Sequence, residues 1–129
     1  SDVDVASGGG RPILSIFAAA PRPVPIAISM MERHPLGAQA FMPLSDHEWL
    51  VVVAPTNADD SAPNFDGLRC FRARGDQGVT YAPNVWHHPL LVLQPQDFLI
   101  ADRAGPKGET GNPNLQEHWE DSPVAMVAV

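Results

Sequence analysis

Proline is the residue that most restricts what this chain can fold into. Fourteen of the 129 residues are proline and ten are glycine, and they are spread along the chain without a period. Proline lacks a backbone N–H and clashes with the preceding helical turn, so this density interrupts any long α-helix. Apolar runs of roughly four to eight residues remain between the turns, a length that suits β-strands. The sequence therefore predicts an all-β domain.

Short apolar stretches recur roughly every eight to twelve residues and predict about eight strands. The clearest is HEWLVVVAP at residues 47–55, and other expected strands cover residues 13–18 and 26–33. Turn-forming residues dominate the segment 56–67, which predicts a loop. This spacing is typical of a sandwich or barrel, with few or no helices, rather than of alternating strands and helices.

The length predicts one domain that spans residues 1–129. Residues 1–10 are polar and glycine-rich, which predicts a flexible lead-in. A single helical turn is expected at residues 114–121, because Asn114 can serve as its N-cap and Glu117 occupies the capping-box position.

Charge limits the partners that we expect, and cysteine content limits the expected cellular location. The formal net charge is -7, and nucleic acids and anionic membranes are bound by basic patches, so we expect neither as a partner. The single cysteine, Cys70, cannot form an intrachain disulfide, and no apolar run of about eighteen residues or secretory signal pattern is present. We therefore expect a cytoplasmic protein, with Cys70 as a buried or half-buried strand residue.

A polar group interrupts the apolar pattern in MMERHPLGAQAFMPL, residues 30–44. Residues two apart in a strand share a face, so Glu32 and His34 are expected to point one way and Arg33 the other. Gln39 can return to the first face after the intervening turn. A carboxylate, an imidazole and a carboxamide would then meet inside the predicted barrel, while Arg33 forms an ion pair or a subunit contact.

A second polar group lies in YAPNVWHHPLLVL, residues 81–93. We expect His87 to face the first group and His88, its neighbour along the strand, to face away. Asn84 occupies a turn, where asparagine tolerates the left-handed backbone conformation better than most residues. The remaining histidines, His47 and His118, are expected to be ordinary structural or surface residues.

The two stretches together resemble the two metal-binding motifs of cupins. Glu32, His34 and Gln39 stand where the first cupin motif has His-x-His followed by Glu, and Asn84 and His87 stand at the glycine and histidine of Pro-x-Gly-x-x-His. Beyond this, the segments MERHPLGAQAFMPL, WLVVVAP, GVTYAPNVWHHPLLVL and DFLIADR are similar, in that order, to the ureidoglycolate lyase family. The likeness runs from about Gly10 to Arg103 and continues more loosely through NLQEHW.

The resemblance implies a cupin-like β-barrel of the double-stranded β-helix or jelly-roll type. It also implies a carbon–nitrogen lyase of the amidine-lyase class that eliminates urea from (S)-ureidoglycolate to give glyoxylate, in allantoin and purine catabolism. A homodimer and a divalent metal, Ni²⁺, are expected on the same ground, with no organic cofactor. Two alternatives stay open: a non-catalytic cupin module that binds a small acid, and an enzyme that works without a metal.

The reaction indicates which residues to test. Ureidoglycolate is a hemiaminal, so elimination needs a base on its hydroxyl group and an acid on the leaving nitrogen. Imidazoles titrate near neutral pH, and we expect burial to raise the pKa of Glu32 toward that range. The expected catalytic residues are His34, His87 and Glu32. The expected metal ligands are Glu32, His34, Gln39 and His87, and the expected substrate-binding residues are Gln39, Arg103 and His88.

Overall fold

The computed structural model describes residues 3–129, and antiparallel strands make up most of its regular structure. Its two helical segments are single 3-10 turns, Ser7–Gly9 and Phe65–Gly67. None of the described helices is long and apolar enough to cross a membrane. The strands are β1 Arg11–Ala19, β2 Ile26–Ile28, β3 Met30–Arg33, β4 Gln39–Pro43, β5 Trp49–Ala54, β6 Arg69–Ala73, β7 Val79–Tyr81, β8 Trp86–His87, β9 Leu91–Val92, β10 Gln96–Ala104, β11 Gln116–Trp119 and β12 Ala125–Val127.

The strands form two main sheets. The first has the order β1-β10-β4-β7, and the second has the order β11-β3-β8-β5-β6, with β9 also paired to β5. Strands β2 and β12 form a separate pair. The prediction of an all-β, cupin-like fold is therefore confirmed, with the strands arranged as opposed sheets.

A hydrophobic core lies between the two main sheets because their strands alternate buried and exposed side chains. In β10, Phe98 and Ile100 are buried and the intervening residues are less so. Phe98 packs edge-on against Trp49 of the second sheet, with ring centroids 5.0 Å apart. Phe41 and Trp86 are also buried, so all four of these aromatic residues occupy the interior.

The other side of the second sheet has its own apolar cluster. Ile26 and Ile28 of β2 pack there with Met31 of β3 and with Leu50 and Val52 of β5. The β2–β12 pair thus covers the face of the sheet that points away from the main core. Both faces of β3 are therefore covered by other residues. A polar side chain on either face needs a partner within the protein to be stabilised.

Three local predictions need correction. Residues 116–119 form strand β11 instead of a helical turn, because they pair with β3. Asn114 does not cap a helix, since its side-chain oxygen accepts the backbone N–H of Leu36 at 2.7 Å. The strand expected at residues 26–33 is divided at Ser29, and Cys70 is exposed on β6. Such interruptions explain why there are more strands than expected.

The described part of the lead-in, residues 3–10, contacts the sheets. The carbonyl oxygen of Asp4 accepts the N–H of Ala38 at 2.7 Å, and that of Ser7 accepts from the Nε atom of Arg103 at 2.9 Å. Residues 1 and 2, which the same prediction includes, lie outside the described range. Flexibility of this segment and the single-domain organisation stay predictions.

Candidate functional site

Strands β3 and β8 bring the two polar stretches of the sequence together. Glu32 lies directly opposite His87 in the antiparallel pairing. His34 follows β3, and its ring centroid is 5.2 Å from that of His87. One potential ligand atom from each of these three residues lies within 4.8 Å of the other two. The sequence predicted this juxtaposition, which joins residues more than fifty positions apart.

Backbone carbonyl groups fix the tautomers of both histidines. The Nδ1 atom of His34 is 2.8 Å from the carbonyl oxygen of Asn114, and the Nδ1 atom of His87 is 2.9 Å from that of Val85. A carbonyl oxygen only accepts hydrogen bonds, so each Nδ1 atom carries the proton. In the neutral rings each Nε2 atom therefore has a free lone pair. Both Nε2 atoms are buried and have no hydrogen-bond partner among the described residues.

Glu32 is ionised at neutral pH, contrary to the sequence-based expectation. Burial raises its pKa, but the proximity of His87, followed by the charges of His34 and His88, outweighs burial and lowers the pKa below its ordinary value. The Oε1 atom of Glu32 is 3.6 Å from the Nε2 atom of His87. The expectation was wrong because it considered burial without the imidazoles, whose position depends on the tertiary fold.

The three acceptor groups form a donor set that fits a cation. A carboxylate and two imidazole lone pairs repel one another in a buried site unless a proton or a metal ion lies between them. Imidazole and carboxylate groups are common ligands of divalent transition metals. Glu32, His34 and His87 therefore have the chemistry to hold such an ion, and the carbonyl groups on the Nδ1 atoms would orient both rings toward it.

Gln39 and Tyr81 lie beside this group. They face each other across strands β4 and β7, and the Tyr81 ring stacks on His87 with centroids 4.0 Å apart. Burial, and secondarily the charge of Glu32, raises the pKa of Tyr81 far above its ordinary value, so its hydroxyl group stays protonated. The Nε2 atom of Gln39 donates to Asp102 at 3.2 Å, whereas its Oε1 atom is buried and has no partner in the described range.

A polar cavity of about 270 Å³ opens beside Glu32 and His34, and we call it the His34 cavity. Asp102, Arg103 and Glu109 also line it. Ligand pockets usually measure about 300–1,000 Å³, so this volume suits a small metabolite. Its polar wall suits a substrate that carries several hydrogen-bonding groups.

Asp102 is one of the cavity residues that sequence reasoning missed, although the sequence contains a signal for it. In DFLIADR, Phe98, Ile100 and Asp102 are spaced by two residues and share one face of β10. Phe98 and Ile100 are buried in the core. A carboxylate that continues an inward apolar series needs a partner or a function, and this is the observation that could have identified it.

The two remaining substrate-binding candidates have other contacts. Arg103 lines the His34 cavity, but its guanidinium group donates to both carboxylate oxygens of Glu109, at 3.0 and 3.3 Å. His88 is buried, and its Nδ1 atom is 2.8 Å from the carbonyl oxygen of Pro89. It lines a second cavity of about 420 Å³, which shares Glu32 with the first. Their roles in substrate binding stay predictions.

Arg33 occupies the opposite face of β3, as expected. Its Nη1 atom is 2.6 Å from Asp60, its Nη2 atom donates to the carbonyl oxygen of the same residue, and its Nε atom donates to Gln116. The guanidinium group also lies 4.4 Å above the Trp86 ring. The pKa of Asp60 is lowered by the hydrogen bonds from Arg33 and Thr56 and by the Arg33 charge. Each of the three guanidinium nitrogens of this buried arginine therefore has a hydrogen-bond partner.

The loop before β8 supports the site through its backbone. Asn84 has a φ angle of 66°, which confirms that this residue adopts the left-handed conformation that its position suggested. Its N–H donates to the carbonyl oxygen of His34 at 3.0 Å. The turn therefore ties the end of one polar stretch to the start of the other.

Comparison with known proteins identifies the family of this chain. The sequence model of the family described as ureidoglycolate lyase matches residues 1–127. The chain belongs to the ureidoglycolate lyase family. It is 44% identical over 128 residues to a protein named ureidoglycolate lyase from Burkholderia mallei (strain NCTC 10229), an alignment that covers 98% of this chain and 73% of the relative.

Two further members of the ureidoglycolate lyase family are similarly close. The protein of that name from Burkholderia cepacia is 50% identical over 119 residues, which cover 91% of this chain and 65% of the relative. The protein of that name from Agrobacterium fabrum (strain C58 / ATCC 33970) is 51% identical over 124 residues, which cover 95% of this chain and 69% of the relative. The chain thus spans about two thirds to three quarters of the length of these relatives.

Proposed function

We propose that this protein is a ureidoglycolate lyase that cleaves ureidoglycolate to glyoxylate and urea. The observation that carries the proposal is the pair of buried Nε2 atoms of His34 and His87, which have no partner in the part of the chain that the structure describes and lie beside an ionised Glu32. A cluster of buried acceptors destabilises a protein, so its presence in a member of a lyase family favours a catalytic use over passive packing.

The reaction requires one proton to move. A base takes the proton of the substrate hydroxyl group, the carbonyl of glyoxylate forms as the carbon–nitrogen bond breaks, and the departing urea nitrogen takes up a proton. When no metal occupies the site, an unprotonated Nε2 atom of His34 or His87 can accept the first proton, because its Nδ1–H is held by a carbonyl oxygen; a bound metal would take these lone pairs instead, and the two imidazoles would then serve as ligands. The protonated imidazole can then return that proton to the leaving nitrogen, which balances the reaction. The ionised Glu32 stabilises the imidazolium group during this transfer.

A divalent metal is part of the proposal. Glu32, His34 and His87, with Gln39 as a fourth residue, would hold the ion, and Ni²⁺ is the metal that the family resemblance suggests. When bound, the ion would act as a Lewis acid that favours ionisation of the substrate hydroxyl group. The protein's own contribution is to orient both imidazoles and to keep Glu32 charged beside them.

The substrate carboxylate is proposed to lie in the His34 cavity near Arg103. Three N–H groups of Arg103 are used by Glu109 and Ser7, which leaves two of its five donors for a substrate. His88 would contribute from the far side of Glu32, through the second cavity.

We further propose that the enzyme is a cytoplasmic homodimer of the allantoin pathway of purine catabolism. The outer face of the first sheet supports a subunit contact, since Leu14 and Ile16 of β1 are 71% and 66% exposed. Leu99 and Met42 lie beside Ile16 in the neighbouring strands and extend the apolar face. Sedimentation of Ile16→Glu beside wild type tests the contact: the variant should sediment as a monomer, and an unchanged dimer would exclude this face.

A product assay tests the activity. Purified protein incubated with ureidoglycolate should release glyoxylate and urea in equal amounts. Binding of ureidoglycolate without release of either product would instead favour the small-acid binding module. Metal analysis of protein purified without chelators, followed by assay after stripping, tests the metal: activity should fall on stripping and return with Ni²⁺, whereas unchanged activity would favour acid–base catalysis without a metal.

A further inference from the structure

Asp102 is a charged residue for which the proposed reaction gives no role. It lies on β10 and lines the His34 cavity together with Glu32 and His34. The Ala40–Ala101 pair is the last recorded pair between β4 and β10, and Gln39 and Asp102 are the next residues along these two strands. Their side chains meet, with the Gln39 Nε2 atom 3.2 Å from an Asp102 oxygen.

This contact decides which way the Gln39 amide points. A carboxamide has an NH₂ donor and a carbonyl acceptor, and either end can face a given neighbour. An ionised carboxylate has only acceptors, so the NH₂ group must face Asp102. The Oε1 atom then faces away from Asp102, and it is buried without a partner among the described residues.

The Oε1 atom of Gln39 lies in the same part of the molecule as the Nε2 lone pairs of His34 and His87. Gln39 lies directly opposite Tyr81, and Tyr81 stacks on His87 in nearly parallel planes. Buried acceptors without a partner are otherwise rare in folded proteins. Gln39 Oε1 shares this property with the Nε2 atoms of His34 and His87.

We propose that Asp102 is a positioning residue that holds the Gln39 amide so that its oxygen, and not its NH₂ group, is presented to a divalent cation at Glu32, His34 and His87. The inference rests on the proposed metal site. Without Asp102 the amide can turn, and its NH₂ group would then present a positive dipole to the ion. Loss of such an outer partner typically weakens metal binding by about 10- to 100-fold.

Calorimetric titration of the full chain with Ni²⁺ tests the inference without using activity. Asp102→Leu, which is close in size and cannot accept a hydrogen bond, should weaken Ni²⁺ binding by about 10- to 100-fold. Asp102→Asn, which keeps an acceptor for the Gln39 NH₂ group but has no charge, should bind within about threefold of wild type. Equal weakening in both variants would overturn the inference, because it would show that only the charge matters.

A second pair of variants shows whether Asp102 acts through Gln39. In a Gln39→Leu background the ligand oxygen is absent, so adding Asp102→Leu should change Ni²⁺ affinity by less than about threefold. A further tenfold loss would overturn the inference. Thermal unfolding of each metal-free variant checks that the sheet is intact, and Asp102→Ala, which also lacks a hydrogen-bond acceptor, replaces the Leu variant if that variant does not fold.

The wild-type titration separates the two proposals. If wild type binds Ni²⁺ and Asp102→Leu binds it equally well, the role of Asp102 is wrong and the metal site stands. If wild type does not bind Ni²⁺, the metal site and the inference fail together. The lyase activity could then still be found in the product assay.

Discussion

The polar groups on the two faces of β3 differ in whether they have hydrogen-bond partners. On one face, Arg33 donates to Asp60 and Gln116 and lies over the Trp86 ring, so each part of its guanidinium group has a partner. On the other face, Glu32 lies 3.6 Å from the Nε2 atom of His87, and the Nε2 atoms of His34 and His87 have no hydrogen-bond partner within residues 3–129. Arg33 thus belongs to a cluster whose hydrogen bonds are formed, and Glu32, its neighbour in sequence, belongs to a cluster whose buried Nε2 acceptors have no donor among the described residues.

The difference separates stabilising residues from functional ones. The buried charge of Arg33, whose guanidinium nitrogens each have a partner, holds elements together. It connects the loop at Asp60 and strand β11 to β3. An unsatisfied acceptor cluster costs stability and persists where function requires it. Changes at Arg33 should therefore affect folding, and changes at His34 or His87 should affect turnover.

The largest expected effect is on catalysis. His34→Ala and His87→Ala should each lower turnover of ureidoglycolate by about 10²- to 10⁴-fold, since each removes a candidate proton acceptor. His34→Ala should leave the free energy of unfolding unchanged or slightly higher, because it removes one of the opposed acceptors. His118→Ala, at a half-buried histidine that pairs with Met31 and therefore lies on the opposite face of the sheet from Glu32, serves as the control and should retain wild-type turnover. Two folded site variants with near-full turnover would show that the site is elsewhere.

Arg33→Met should produce the opposite pattern. The change removes three hydrogen bonds and leaves the Gln116 oxygen and the Asp60 carbonyl without their donor, which should lower the free energy of unfolding by about 1–3 kcal/mol. Urea denaturation measures this, and kcat of the folded variant should stay within about threefold of wild type. Arg72→Met, at a half-exposed arginine 3.7 Å from Glu48, is the matched control and should cost much less. A large fall in kcat without loss of stability would mean that Arg33 serves turnover and not folding.

A smaller effect is expected at Asn84, whose backbone connects the two polar stretches. Asn84→Ala should cost about 1 kcal/mol of stability, because alanine is strained at a φ angle of 66°. Asn84→Gly should relieve that strain, so its stability should lie within about 0.5 kcal/mol of wild type. Thermal unfolding of the two variants distinguishes them, and equal losses would mean that the Asn84 side chain, and not its backbone conformation, matters.

The smallest effect concerns pH. Burial, and secondarily the charge of Arg22, lowers the pKa of His88 below its ordinary value. The unfolded chain therefore takes up a proton at His88 before the folded chain does, so this contribution to stability is complete above about pH 6.5 and is lost as pH falls toward the folded-state pKa. Urea denaturation at pH 7.5 and 5.5 should show a smaller drop for His88→Gln than for wild type. An equal drop would assign the pH dependence to other groups.

The elements predicted best from the sequence were those that local pattern determines. Alternation and turn chemistry located the buried strand around residues 49–54 and the loop at residues 56–67, and they placed Glu32 and Arg33 on opposite faces. Strand β11 was predicted as a helical turn because a capping pattern near Asn114 is local, whereas its pairing with β3 is not. Asp102 was missed for a related reason, since its side-chain partner, Gln39, comes from the strand that lies beside β10.

The sequence by itself determined the all-β class, the cupin-like family and the residues that could supply acids, bases and ligands, because proline spacing, strand periodicity and motif order are properties of the chain. Only the tertiary structure decided the protonation of Glu32, the tautomers of His34 and His87 and the direction of the Gln39 amide. Each of these depends on a neighbour from a distant strand or loop, and electrostatic and hydrogen-bond energies are set by distances of a few ångströms that no sequence interval specifies.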